Sequence, residues 1–230
     1  MNHRTPYIVV AMLLLATGSH ADESPEVVAP HVARPWVGVS SCSAQPCHGD
    51  VARDQVWPIW GNEVTVWLER DRHAQAYRVL SNELSKKMAE RLQLGVPANR
   101  SAKCLGCHSP ADFGASAAEP FLADGVGCES CHGPAEQWLA KHTLQGWRDK
   151  PSRAKRELGL VDTNDLHDRA KACAVCHVGS AAADSSPGGE VNHDLIAAGH
   201  PALKFEFTAY LAKMPKHWTE KSSGAGFEAR

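Results

Sequence analysis

A mostly α-helical fold with extensive loops is predicted from three features of the sequence. Apolar residues recur at helical spacing, as at Leu84, Met88 and Leu92, and Gly95 follows where such a helix would end. No stretch of useful length alternates apolar and polar residues, as a half-buried strand does. All eight cysteines occur in pairs, and each pair is followed directly by histidine. The class is therefore helical and loop-rich, and the chain is organised around its cysteine pairs.

Four helical regions are predicted along the chain. They are residues 62–94 with possible caps at Ser81 and Asn82, a short stretch after Pro134, a helix from a cap at Asn164 into the fourth motif, and Phe205–Met214, which Pro215 ends.

Three of these pairs have the spacing Cys-x-x-Cys-His, which is the attachment signature of a c-type haem. The two thiols add across the two vinyl groups of the porphyrin, and the adjacent histidine supplies one axial ligand to the iron. The fourth motif is longer, with four residues between its cysteines. The predicted attachment residues are Cys42, Cys47, Cys104, Cys107, Cys128, Cys131, Cys173 and Cys176, and the predicted proximal ligands are His48, His108, His132 and His177. The sequence thus predicts four covalently bound c-type haems, and these would build the core that a loop-rich chain otherwise lacks.

Two other roles for the cysteines stay open at this point. Cysteine pairs about twenty residues apart, as at Cys107 and Cys128, also resemble a zinc ribbon, although zinc does not need a histidine after every second cysteine. In an oxidising compartment, Cys42 and Cys47 have a disulfide as their alternative. The His48-Gly49 that follows directly argues against it.

The N-terminal residues 1–21 have the features of an export signal. Arg4 gives a positive start, an apolar run extends from Tyr7 to Thr17, and Ala21 ends a small-residue cleavage site. The run is short for a bilayer span, which favours a cleaved signal; an uncleaved membrane anchor is the alternative. Residues 22–35 contain three prolines and are predicted to be a flexible lead-in. Residues 36–230 are predicted to form one domain, in the periplasm, since bacterial c-type haems are attached after export.

The charge pattern bears on the class of partner. The net charge is −2, and no basic run is interleaved with aromatic residues, so a nucleic-acid partner is not expected. The short basic stretch from Lys150 to Arg156 is predicted to be a solvated helix face, with docking of an acidic redox protein as the alternative. The expected partners are a periplasmic oxidoreductase or a quinone-linked membrane complex.

The second axial ligand of each haem iron determines whether the iron transfers electrons or has an open position for a substrate. Outside the predicted signal the only methionines are Met88 and Met214, and both fit an apolar helix face. Histidine is plentiful, and ligation by two histidines keeps iron six-coordinate in both oxidation states, as electron transfer requires. The chosen distal candidates are His73, His142 and His200, with His193 competing with His200; His217 ranks below them, and His167 and His31 are expected to be solvated.

The C-x4-C-H-G start, the segment GVGCESCHGPAEQWLAKH and the later segment NHDLIAAGHPALKFE resemble the tetrahaem cytochrome c-554 family, which is related to the haem core of hydroxylamine oxidoreductase. The resemblance covers roughly Trp36 to Trp218. It implies closely stacked haem pairs that shuttle electrons in the periplasm, with distal ligands at His73, His142 and His200. In the type protein one haem is five-coordinate, and its position is most similar to that of the haem bound at His108.

Two functions follow from these observations. The first is a periplasmic electron carrier, not an enzyme, in which the protein supplies spacing, axial ligands and a low-dielectric wrapping. The second is a small redox enzyme acting on a nitrogen oxide or hydroxylamine at an open haem, which needs a vacant coordination position and nearby acid–base groups. A structural subunit of a larger respiratory complex is a third alternative, which the sequence does not separate from the first.

Overall fold

The computed structural model of this protein describes residues 36–50, 61–109, 122–179, 189 and 191–218. Within these ranges the helices are α1 (Glu63–Arg70), α2 (Glu83–Arg91), α3 (Ala102–His108), α4 (Cys128–His132), α5 (Ser152–Glu157), α6 (Leu166–His177), α7 (His193–Ala198) and α8 (Phe207–Lys213). The same residues form no β-strand, which confirms the mostly helical class. The predicted signal, the lead-in and His31 lie outside the described residues.

Residues 62–94, predicted as one helical region, are divided between α1 and α2. Two 3-10 turns, Arg72–Gln75 and Arg78–Ser81, separate these helices. The Asp71 side chain accepts the N–H of His73 in the turn Arg72–Gln75, and the Asn82 side chain accepts the N–H of Ser85 at the start of α2. Short polar side chains of this kind satisfy the unpaired N–H groups at a helix start, so they begin new helices within the segment.

The segment after α4 departs from its predicted helix. Single turns close where Leu139 donates to the Ala135 carbonyl and His142 donates to the Trp138 carbonyl, and a 3-10 turn follows at Lys141–Thr143. Trp138 and Trp147 bury themselves against Ala135, which is 0% exposed. Packing of the two indoles therefore overrides the helical propensity of this short stretch.

The helices α6 and α8 lie close to their predicted positions. The cap of α6 is Asp165, one residue later than the predicted cap Asn164, and its carboxylate accepts the N–H groups of His167 and Asp168. α8 begins after Glu206, whose carboxylate accepts two backbone N–H groups, and ends before Pro215. Proline cannot continue a helix, which explains this end.

The buried side chains form three small clusters, and among the described residues no large side chain is fully buried. The clusters contain Val39, Cys42 and Val64; Leu80, Ala98 and Leu105; and Ala135, Trp138 and Trp147. Protein interiors are normally close-packed, so side chains alone fill little of this fold. Within the described ranges, no helix has the length and apolar character needed to span a bilayer.

Glu129 of α4 joins the first described segment to the third cysteine pair. Its carboxylate accepts N–H groups from Val37 at 3.1 Å, Gly38 at 2.9 Å and Ala135 at 2.7 Å, and the residue is 5% exposed. Directly after α4, Gly133 has φ +80° and lies against the backbone of Gly159. These contacts hold the first and third motifs in one packed unit.

Candidate functional site

Three of the four cysteine–histidine motifs lie within short helices that end at the motif histidine. α3 ends at His108, α4 at His132 and α6 at His177. The cysteines of these motifs are three residues apart, so both thiols lie on one helix face. The first motif follows the 3-10 turn Val39–Ser41 and continues through further turns to His48. Each motif therefore presents two thiols and one imidazole from a short stretch of chain.

Thiols of different motifs meet in two places. A hydrogen bond joins the Cys42 and Cys128 thiols, lowering the pKa of Cys42 and raising that of Cys128. A second hydrogen bond joins the Cys107 and Cys176 thiols, lowering the pKa of Cys107 to about 7 and raising that of Cys176. The first motif therefore adjoins the third, and the second adjoins the fourth.

The geometry disfavours both other roles considered for the cysteines. Cys42 and Cys47 are free thiols, so the disulfide considered for the first pair is not formed. In the described part of the chain, the only group of three or more metal-binding side chains whose ligand atoms lie within 4.8 Å of one another is Asp165, His167 and Asp168. It contains no cysteine, so a zinc ribbon built from these thiols is not supported.

Three motif histidines each face a second histidine at nearly the same distance. The ring centres are separated by 6.2 Å for His48 and His142, 6.0 Å for His177 and His73, and 6.2 Å for His108 and His200, with ring planes at 15°, 85° and 86° respectively. A metal ion bonded at about 2 Å to one nitrogen of each ring would place the ring centres about 6 Å apart. Each pair therefore has the spacing of two axial ligands on one iron.

In the first pair, each ring is oriented through its Nδ1 atom. His48 Nδ1 lies 2.9 Å from Glu63 Oε2, and this hydrogen bond raises the pKa of His48. Burial alone would raise the pKa of Glu63, but the bond to His48 leaves it lowered. His142 Nδ1 donates to the Leu139 carbonyl, and its ring contacts Trp138 edge-on at 5.5 Å. Both rings thus keep Nε2 available as a metal ligand.

In the second pair, His73 is fixed by a carboxylate and His177 by aromatic rings. One oxygen of Asp71 accepts hydrogen bonds from His73 Nδ1 at 2.8 Å and from the His73 backbone N–H at 3.0 Å. His177 stacks on Phe205 at 5.3 Å and meets Tyr210 edge-on at 5.0 Å. His177 Nδ1 is buried without a hydrogen-bond partner, and burial lowers the pKa of this ring.

In the third pair, both rings donate to backbone carbonyls. His108 Nδ1 lies 2.8 Å from the Ala76 oxygen, and His200 Nδ1 lies 2.8 Å from the Pro201 oxygen. Burial lowers the pKa of His108, and the neighbouring His200 lowers it further. The lowered pKa keeps the His108 ring neutral, which is the state that binds a metal, and the two hydrogen bonds orient both rings.

The end of α7 delivers His200 to this position. The Asn192 side chain caps the start of the helix, and Gly199, with φ 116°, ends it in the left-handed conformation that glycine tolerates. Arg91 of α2 donates to the Ala198 carbonyl at 2.9 Å and so holds the last turn against α2. The residue that follows this cap is His200.

The remaining motif histidine, His132, lies near His217. Dense surroundings lower the pKa of His132 to about 4, and the charge of His217 contributes to the shift. His217 donates from Nδ1 to the Pro215 carbonyl at 3.2 Å and contacts Trp218 edge-on. The sequence ranks His217 low, because a residue four positions beyond a helix end has no periodic signal of where its side chain points.

The other two histidines in the described ranges, His167 and His193, lie on the surface. His193 is exposed in the first turn of α7, and no ring contact with a motif histidine is formed there among the described residues. His167 is 85% exposed beside Asp168. Of the two competing candidates in the C-terminal segment, the structure therefore brings His200, and not His193, beside a motif histidine.

The residues present fit a covalently bound haem iron. Paired thiols precede each motif histidine, three histidine pairs have axial-ligand spacing, and few side chains fill the interior. The orphaned Nδ1 of His177 belongs to one of these pairs. Thiol attachment, imidazole ligation and an apolar wrapping are the requirements of a c-type haem.

Comparison with known proteins agrees with this chemistry. The sequence profile of the family described as "Cytochrome c554 and c-prime" matches residues 41–133, which include the first three motifs. Cytochrome c-554 of Nitrosomonas europaea is 28% identical over 154 residues, or 63% of this chain and 58% of the relative. The chain thus matches less than two thirds of that relative's length. No solved structure matches at a significant level.

Proposed function

We propose that this chain is a c-type cytochrome related to the cytochrome c-554 family, and that it carries electrons between redox proteins through four haem irons, each held between two histidines. When bound, c-type haem supplies a one-electron iron couple. The observation that carries the proposal is the set of three histidine pairs with ring centres 6.0–6.2 Å apart. Such pairs hold an iron six-coordinate in both oxidation states, which keeps the reorganisation on electron transfer small.

Each pair joins one motif histidine to a histidine from elsewhere in the chain. His142 serves the site of His48, His73 serves that of His177, and His200 serves that of His108. Hydrogen bonds from Nδ1 fix five of these six rings, so that Nε2 points to the metal.

The fourth site rests on a different observation. Dense surroundings lower the pKa of His132 and keep its imidazole neutral, and the charges of His217 and His48 both add to this shift. We assign His217 as the distal ligand of this site. The thiols that adjoin across motifs one and three, and across motifs two and four, favour two close pairs of haems.

The position of His200 favours an electron carrier over an enzyme. An enzyme acting on a nitrogen oxide or hydroxylamine needs a vacant coordination position. The site of His108 is the position of the open haem implied by the family resemblance, and here His200 lies opposite it with its ring centre 6.2 Å away. We propose a periplasmic location and a redox protein as donor and acceptor.

The proposal is tested by counting haems and by removing distal ligands one at a time. Pyridine haemochrome analysis of the mature protein gives four c-type haems per chain. His142→Ala, His73→Ala and His200→Ala each convert one low-spin ferric signal to high-spin, and His167→Ala, at an exposed histidine, converts none. An unchanged low-spin spectrum in all three distal variants contradicts the histidine pairing, and fewer than four haems contradicts the count.

A further inference from the structure

The three histidine pairs differ in what accepts the Nδ1 hydrogen of their rings. Glu63 accepts from His48, and Asp71 accepts from His73, at 2.9 and 2.8 Å. The pair of His108 and His200 has only the Ala76 and Pro201 carbonyls at these positions. Two of the three pairs therefore carry one negatively charged acceptor, and the third carries none.

Both carboxylates are shielded from water. The side chain of Glu63 is 18% exposed and that of Asp71 is 5% exposed. Screening by solvent and salt weakens as charges become buried, so the effect of each carboxylate on its ring persists at physiological ionic strength. A carboxylate that accepts a ligating histidine's N–H makes the imidazole a more basic donor.

We propose that Glu63 and Asp71 are positioning residues that lower the reduction potentials of the irons held by His48 and His73 relative to the iron held by His108. This inference rests on the proposed haem function. One-electron reduction removes one positive charge from the iron. A more basic axial ligand and a nearby negative charge both favour the oxidised state, so each carboxylate lowers the potential of the iron whose ligand it contacts. Among these three sites, the iron held by His108 is then reduced first.

The two carboxylates differ in their remaining contacts. The second oxygen of Asp71 is buried without a hydrogen-bond partner, whereas Glu63 contacts His48 and also accepts from the Gly61 N–H. Each carboxylate contacts the histidine of one site, so each lowers one potential.

Amide variants separate this role from a structural one. Glu63→Gln and Asp71→Asn keep an oxygen that can accept from the ring Nδ1 and from the backbone N–H groups, but both lose the charge. Glu69→Gln is the matched control, because Glu69 is exposed on the same helix as Glu63 and its substitution removes the same charge. Glu63→Asp restores the charge and tests rescue.

Redox titration followed by electron paramagnetic resonance (EPR) measures the potential of each site in the holoprotein. The ring planes of His48 and His142 are near parallel, and those of His73 and His177 are near perpendicular. Near-parallel planes give an ordinary rhombic ferric signal, and near-perpendicular planes give a signal with one unusually large g value, so the two sites are distinguished by signal shape. Glu63→Gln increases the reduction equilibrium constant of the site with near-parallel planes about tenfold, which raises its midpoint potential by about 59 mV for one electron. Asp71→Asn raises the midpoint of one large-g signal by a similar factor, Glu69→Gln moves no midpoint, and Glu63→Asp returns the midpoint of the near-parallel signal towards its wild-type value.

Two failures are distinguishable. A wild-type protein with fewer than four haems, or with high-spin iron, contradicts the proposed function itself. Four low-spin haems whose midpoints do not move in Glu63→Gln and Asp71→Asn, or move equally in Glu69→Gln, contradict the role of the two carboxylates and leave the haem assignment in place.

Discussion

Substitution of Glu129 should destabilise the protein far more than substitution of any exposed glutamate. Its carboxylate accepts from the N–H groups of Val37, Gly38 and Ala135, and the hydrogen bonds from Gly38 and Ala135 are buried, so their donors are left unsatisfied when the carboxylate is removed. Leaving a buried donor unsatisfied costs about 1–3 kcal/mol, so Glu129→Ala is expected to cost about 3–5 kcal/mol. Glu129→Gln keeps one acceptor oxygen and is expected to cost about 1–3 kcal/mol.

The assay is guanidinium unfolding of the holoprotein followed by far-ultraviolet circular dichroism. The shift in midpoint at constant slope gives the change in free energy of unfolding. Glu136→Gln is the control, because Glu136 is exposed seven residues further along the chain. The reasoning is refuted if Glu129→Gln unfolds at the same denaturant concentration as Glu136→Gln. That result would mean that the three N–H groups find other partners when the carboxylate charge is lost.

Three further substitutions test the positioning of the motifs. Gly133→Ala places a Cβ 2.1 Å from the backbone oxygen of Gly159, whereas Gly146 has a similar positive φ but open space around the added Cβ. The free energy of unfolding should therefore fall by about 1–2 kcal/mol in Gly146→Ala and by more in Gly133→Ala. Asp165→Ala removes the cap of α6 and should cost about 1 kcal/mol by the same assay, with Asp165→Asn close to wild type. Arg91→Leu removes the hydrogen bond to the Ala198 carbonyl that holds the last turn of α7. His200 should then dissociate from its iron more readily, so nitric oxide should bind the protein faster. An unchanged binding rate would show that this hydrogen bond does not hold His200 in place.

The sequence was sufficient for the features that chemistry places at fixed spacing. Paired cysteines followed by histidine define attachment sites without knowledge of the fold, and helical periodicity located the start of α2 and the end of α8. The break between α1 and α2 within residues 62–94 was harder to predict from the sequence, because Asp71 both caps a 3-10 turn and accepts a hydrogen bond from the His73 ring. Helix propensities do not reveal that an aspartate accepts a hydrogen bond from a histidine ring two residues away.

The pairing of distant histidines required the structure. His48 and His142 are 94 residues apart, a separation that no local spacing rule connects, although the structure brings their rings to 6.2 Å. His193 and His200 occur in one short segment with similar sequence signals, and only the left-handed turn at Gly199 separates an exposed ring from one facing His108.

EPR of the oxidised, mature holoprotein tests the central claim most directly. The relative orientation of two axial imidazole planes sets the anisotropy of a low-spin ferric signal: near-parallel planes give an ordinary rhombic signal, and near-perpendicular planes give one unusually large g value. The structure predicts a rhombic signal from the pair at 15°, large-g signals from the pairs at 85° and 86°, and no high-spin iron. A high-spin signal that shifts on addition of nitric oxide would contradict the account, since it would show an iron with an open coordination position.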